Sequence, residues 1–359
     1  MNFRLNEDQQ QLQSTIARIL ASDRIHSRLR GVIDGKAVWD EETWKELVEF
    51  GLTALIVPEE NGGMGMSLIE LALCAEELGR SAAAVPFLGH ALATIAIIEG
   101  GSEEQKARYL PGLASGEVLG SVALTEGNDT WAPEEWRMAP VGGKISGHKR
   151  NVPNGDIAQL IVVGLEGGTL GVVEPSAGGV SFDVFEPLDL TRRICSVDFN
   201  KADVDVLENG AAAAVRVWDA ALALLAADAY GGSWRITEMA RDYVQVREAF
   251  GAKLAEFQAI KHQMANVVVE VEPTRGLYWF AAYAYARMPE KASHAASLAK
   301  AQTAEVYDRT ARMCTELHGG IGFTWEFDAH IWLKRAIFDL AWGGRPQRLF
   351  VRATDLYEW

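Results

Sequence analysis

Sulfur and positive charge are both scarce in this chain. Cys74, Cys195 and Cys314 are its three cysteines in 359 residues. They lie far apart, none forms a Cys-x-x-Cys pair, and an odd number leaves one over, which argues against a disulfide framework or a zinc site. They read as buried, inert thiols in a reducing compartment. Thirty-four Lys and Arg stand against 49 Asp and Glu, giving a formal charge of -15 and a pI near 5.0. Nonspecific nucleic-acid binding and an electrostatic hold on an anionic membrane both need a basic surface, so neither is expected. The opening MNFRLNEDQQQLQ turns polar where a signal peptide needs its apolar run. No uninterrupted apolar stretch reads as long enough to span a bilayer, and a cytoplasmic location is expected. Internal repeats and low-complexity tracts are also missing.

What is present is apolar mass: 48% of the residues are hydrophobic, enough for two or three packed domains. Capping boxes mark three helix starts, pairing Asn6 with Gln9, Ser67 with Glu70 and Ser102 with Gln105. Leu12, Ile16 and Ile19 share one helical face, and Leu68, Leu71, Cys74, Ala75 and Leu78 repeat the spacing before Gly79, which offers a stop. Residues 1–117 therefore read as an N-terminal helical domain. From Val118 short apolar runs (118–124, 160–163, 170–173, 180–185) alternate with Gly, Pro, Asn and Asp, the pattern of a small middle β domain over 118–208. Ala-rich helical segments follow at 211–230, 234–247, 256–287 and 292–317, with Pro273 and Pro289 as kinks or ends, so 209–359 reads as a C-terminal four-helix bundle. The fold class is α+β in the order helix, sheet, helix.

Four strings punctuate that order. They are Val57-Pro58-Glu59-Glu60-Asn61-Gly62-Gly63-Met64-Gly65 with Glu76-Glu77-Leu78-Gly79-Arg80; residues 101–117; Arg247-Glu248-Ala249-Phe250-Gly251 with Phe257-Gln258; and His318-Gly319-Gly320-Ile321-Gly322-Phe323. In this order and at this spacing the chain resembles the acyl-CoA dehydrogenase family along nearly its whole length. The resemblance implies that fold, FAD as cofactor and an acyl-CoA substrate. In that family a carboxylate takes the α-proton of the thioester while hydride leaves the β-carbon for the flavin.

The family's FAD is held by two subunits, and the resemblance assigns this chain one half of the grip. Arg247 is the permanently charged donor suited to a diphosphate, Phe250 and Gln258 follow at the family spacing, and Gly319-Gly320 allow close backbone approach. Glu316 stands where the family usually has Gln, an acceptor-only group beside a phosphate-rich ligand. Set against this, Phe250 and Phe257 could be core aromatics and Arg247 a surface ion-pair residue. The isoalloxazine half departs from the family. Leu124-Thr125-Glu126 begins the flavin-side loop, but Gly127-Asn128-Asp129-Thr130-Trp131 replaces its small residues. In Lys149-Arg150-Asn151-Val152-Pro153-Asn154-Gly155 the flavin-packing aromatic is Asn151 and the hydroxyl donor is Pro153.

The two places where family members carry the catalytic Glu fall at Gly343 and Ala221, and neither takes a proton. Asp219 and Asp228 lie nearby and read as solvated helix-edge or capping acids. Such losses are similar to the shorter, Glu-less subunit of bacterial heteromeric acyl-CoA dehydrogenases acting on steroid or bile-acid side chains, as is the ending Gly343-Gly344-Arg345-Pro346-Gln347-Arg348-Leu349. The expected partner is a homologous subunit, in an α2β2 heterotetramer. Two other readings stay open: a homo-oligomeric dehydrogenase whose base has moved, Asp228 being one candidate, and a non-catalytic acyl-CoA or protein-binding member of the fold.

Overall fold

The computed structural model describes residues 4–21, 23–127 and 129–357. Six helices open the chain: α1 (Glu7–Leu20), α2 (Asp23–Ile33), α3 (Glu41–Phe50), α4 (Leu68–Arg80), α5 (Phe87–Gly100) and α6 (Glu103–Ala114). All three capping boxes form, with the Asn6, Ser67 and Ser102 side chains each bonded to the first turn of its helix. The face predicted for α4 is buried from Leu68 through Leu78. Gly79 does not stop the helix. A Cβ there would overlap the backbone of Asp228, so this glycine permits two helices to touch rather than ending one.

Seven strands follow: β1 (Gly120–Ala123), β2 (Lys144–Pro153), β3 (Leu160–Leu165), β4 (Thr169–Val173), β5 (Val180–Val184), β6 (Ile194–Asp203) and β7 (Asp205–Val206). They form a four-stranded sheet in the order β1-β3-β4-β7 and a three-stranded sheet in the order β2-β6-β5. Only β1 and β3 are parallel, Gly120 aligning with Leu160. Residues of β3 alternate between two cores, as a period of two requires. Leu160 and Val162 pack with the helices, whereas Ile161, Val163 and Leu165 join Val152, Cys195, Val197 and Phe199 between the sheets.

The last part holds α7 (Gly210–Val246), a hairpin of β8 (Glu248–Ala249) and β9 (Ala252–Lys253), α8 (Gln258–Arg287), α9 (Pro289–Leu317), α10 (Ala329–Ala341) and α11 (Pro346–Asp355). The two segments expected at 211–230 and 234–247 are one helix of 37 residues. Gly231 and Gly232 sit inside it because their bare backbones admit Glu76 of α4 and the Tyr307 ring of α9. By length and hydropathy α7 could cross a bilayer, against the expectation that no stretch is long enough; 78% of its apolar window is buried in the fold, where it serves as the core helix. Pro273 lies within α8 and does not end it, whereas Pro289 opens α9 at its first turn. The three thiols are free and buried, and burial pushes Cys195 up to about 11 and Cys314 up to about 12.

Candidate functional site

The nominated residues fall into two groups that the fold treats in opposite ways. Arg247 follows the last residue of α7, and the backbone turns back through the hairpin, where the Leu254 amide donates to the Arg247 carbonyl at 2.9 Å. The turn is Phe250-Gly251, with φ of +54 and +81. Both residues are left-handed, as a two-residue hairpin turn matching strand twist demands, a role usually given to Asn-Gly. Phe250 is therefore thrown outward and is 98% exposed, so it is not a core aromatic. Arg247 is exposed and forms no ion pair with any described residue. Gln258 opens α8, also exposed.

Across from the hairpin α9 ends at Leu317, with Glu316 exposed in its last turn and His318 capping it. Gly319 has φ of +64, and a Cβ on Gly319 or Gly320 would meet nothing within 4 Å, so this turn presents open backbone to solvent. Arg247, Glu316, Gly319 and Gly320 share one cleft of about 650 Å³, completed by Tyr243 and Ile260. Phe250 and Gln258 stand outside its walls, on the hairpin tip and at the start of α8.

On the β-domain side Leu124, Thr125 and Pro153 are buried, while Asn151 is half-buried. Leu124 is 3% and Thr125 0% exposed, and Val152, Pro153 and Asn154 are buried too. Thr125 bridges to Arg150, and its hydroxyl lies 2.7 Å from that of Thr130, so the loop closes on itself. Asn128 lies outside the described residues. Trp131 packs on Trp342 with ring centroids 4.7 Å apart, and the Trp342 indole donates to the Asn151 carbonyl at 2.9 Å. Arg348 of α11 donates to the Asp129 carbonyl and pairs with Glu135 at 2.5 Å, fastening the same loop. Trp131, Trp342 and Arg348 escaped the sequence reading, since their contacts join residues some two hundred positions apart. The Trp-Gly-Gly string in the very place of the Glu was the available signal.

Gly343 packs on the stretch of α7 that holds Ala221, and both are buried. The Gly343 carbonyl accepts from the Trp218 indole at 2.8 Å, and a Cβ on Gly343 would meet Leu225 and Leu222 at 3.2 and 3.4 Å. Lys300, wholly buried, donates to the Leu340 carbonyl at 3.1 Å and to the Gly344 carbonyl, pinning the turn from α9. Burial pushes its ammonium down to about 7.

Asp219 and Asp228 are not solvated edge acids. Asp219 is 2% exposed and pairs with Arg352 at 2.8 Å, and Asp228 is 3% exposed between Arg192 and Arg335, each 2.6 Å away. Burial would raise the Asp228 carboxyl, but the two guanidinium groups overcome it and hold it at about 2. Asp339 behind it is pushed well above its usual range, by burial and by the charge of Asp228. A carboxylate so clamped grips three parts of the fold together, since Arg335 also donates to Thr191 at 2.7 Å and to the Ala83 carbonyl at 3.3 Å. With its charge held by three hydrogen bonds from two guanidinium groups, it is a poor base.

Helices before and after a two-sheet β domain, with an open cleft at the end of the longest helix, define the acyl-CoA dehydrogenase fold. The chain belongs to the acyl-CoA dehydrogenase family: residues 6–117 match its N-terminal domain and residues 208–349 its C-terminal domain. It is 30% identical over 331 residues to acyl-CoA dehydrogenase IpdE2 of Mycobacterium tuberculosis, covering 92% of this chain and 91% of that one. Acyl-CoA dehydrogenase FadE28 of the same organism is 36% identical over 234 residues, 63% of this chain and 66% of that one. Among solved structures, a variant of the Tcur3481-Tcur3483 steroid acyl-CoA dehydrogenase superposes with a TM-score of 0.90 at 30% identity, over 98% of this chain and 97% of that one. FAD is the redox cofactor of the family.

Proposed function

We propose that this chain is the subunit of a heteromeric FAD-dependent acyl-CoA dehydrogenase that grips the dinucleotide part of FAD, while a homologous partner supplies the isoalloxazine surface and the catalytic Glu. One contrast carries the reading: the cleft around Arg247 is open, whereas Leu124, Thr125 and Pro153 on the β-domain side are buried within this chain's own fold. A surface that receives a ring must be accessible before the ring arrives.

FAD supplies the hydride acceptor for α,β-desaturation of an acyl-CoA thioester, and this chain's residues hold it. Arg247 is the donor for the diphosphate, its planar fork fitting two oxygens at once and its charge lacking any other partner. Gly319-Gly320 would let that ligand lie against bare backbone, and the Phe250 ring at the hairpin tip and the Gln258 amide at the start of α8 would be available to the part of the dinucleotide that extends beyond the cleft. Glu316 can only accept, so it suits a ribose hydroxyl and repels a phosphate. The structural relative is a steroid acyl-CoA dehydrogenase of two different chains, which supports a steroid thioester as substrate and a partner subunit; an α2β2 assembly is part of the proposal.

The test is the visible spectrum of the chain purified alone and purified after coexpression with a homologous dehydrogenase chain from the same genome. Yellow protein with one FAD per unlike pair, and colourless protein from the lone chain, are expected. A lone chain that holds stoichiometric FAD and oxidises an acyl-CoA would overturn the reading.

A further inference from the structure

A second cleft lies away from the dinucleotide end, where α1 and α2 meet α4, α7 and α10. Its volume is about 450 Å³, within the range of small-molecule sites. The floor is apolar: Leu20, Ile25, Leu29 and Trp332 are each no more than 6% exposed yet border the cleft. The rim is cationic. Arg235 of α7, half-buried, pairs with no carboxylate among the described residues, and its guanidinium carbon lies over the Trp332 ring, 5.7 Å from the centroid. Arg80 turns one nitrogen, Nη2, to both oxygens of Glu238 at 2.6 Å, which leaves its other nitrogens available.

An unpaired arginine is unusual here, because acids outnumber bases 49 to 34 and most half-buried arginines have found one. Taking a guanidinium part-way out of water without an anion is unfavourable, and the fold does not relieve it. Glu77 also borders the cleft. Burial and then the neighbouring Glu76 raise its carboxyl to about 7, so at neutral pH it opposes an incoming anion only in part.

We propose that this cleft is a binding site for an amphipathic carboxylate, its chain or ring system seated on Leu20, Ile25, Leu29 and Trp332 and its carboxylate paired with Arg235 and the free side of Arg80. The site is independent of the FAD cleft, shares no wall residue with it and needs no redox partner. Its ligand class is a free acid of about ten carbons rather than a CoA thioester, whose polyanionic head has no set of donors here to match it.

The full chain and the copurified complex are both titrated with decanoate, followed by calorimetry and by tryptophan fluorescence, with acetate and decyltrimethylammonium as controls. Saturable binding of one decanoate per chain is expected, with neither control binding. Arg235→Gln should weaken decanoate at least tenfold, and Ala21→Trp, which puts an indole at the mouth, should do the same without touching a charge. Both variants leave flavin content unchanged, which separates this site from the one at Arg247. Absence of saturable decanoate binding, equal binding of the ammonium detergent, or affinity unchanged in both variants would each overturn the proposal. So would binding to the lone chain that vanishes in the complex, since the cleft would then be a partner interface.

Discussion

Phe250 shows what a single residue can reveal when its backbone and its exposure disagree with its chemistry. A left-handed residue with a branched aromatic side chain costs about 1–2 kcal/mol, and leaving the ring in water forgoes its burial. Asn relieves the backbone term. Phe250→Asn is therefore expected to stabilise the lone chain by about 0.5–1 kcal/mol in urea unfolding, while the copurified complex loses flavin. Loss of stability in the lone chain would show that the ring works within its own fold. Lys300 carries the opposite tension, since its ammonium is buried and held only by carbonyl oxygens. Its folded pKa of about 7 lies below the unfolded value of 10.5, so the unfolded chain binds more protons between these limits. Stability from this group is complete above the unfolded value and is lost as pH falls toward 7. The unfolding free energy of wild type relative to Lys300→Met, from urea titrations, should thus climb between pH 7.5 and 9.5, by on the order of a few kcal/mol at most; a flat difference would mean the ammonium is not desolvated. Neither Lys300 nor the clamped Asp228 was legible in the sequence. Their partners lie 44 and 107 residues away, and a lone acid or lysine on an Ala-rich helix carries no mark of what faces it. The capping boxes were legible because both halves of each sit three residues apart.

Among elements, α7 decides the architecture, and its glycines explain why the pattern reading split it. Gly231-Gly232 looks like a break between two helices, yet the pair marks the crossing at which α4 comes close enough for Gly79 and Gly231 to face the opposite backbone. Periodicity cannot tell a glycine that ends a helix from one that admits a neighbour; only the neighbour decides. Pro273, expected as a kink or an end, does not end α8: it lies on the exposed face, where water can take the carbonyl its ring leaves unbonded. Gly79→Ala is expected to destabilise the chain by about 3 kcal/mol or more, because the new methyl overlaps backbone that cannot move aside. Gly276 in α8 supplies the control: a Cβ there meets nothing within 4 Å, so Gly276→Ala should stabilise by about 1 kcal/mol. Thermal melts that place both on the same side of wild type would contradict the crossing.

At the scale of the whole molecule, the proposed absence of the acid could mean a reaction centre filled with side chains or one merely stripped of its acid, and the two predict different outcomes when the acid is put back. Were Gly343 only a lost Glu, Gly343→Glu would restore a base facing an intact cavity, and the lone chain would gain flavin and turnover. Four features oppose that result. Gly343 has φ of +80, which a glutamate adopts only with strain. Leu222 and Leu225 occupy the space its side chain would enter, and the Trp218 indole holds its carbonyl. A buried carboxylate set among these side chains also lacks the donors that would keep it charged. Gly343→Glu is therefore expected to lower the melting temperature, leave the lone chain colourless and give no acyl-CoA oxidation. In the complex the same variant should retain flavin, because Arg247, Gly319 and Gly320 lie in a different cleft, opened by the end of α9. Flavin reduction by an acyl-CoA in the Gly343→Glu lone chain would show that the centre is still a cavity and that its partner is dispensable.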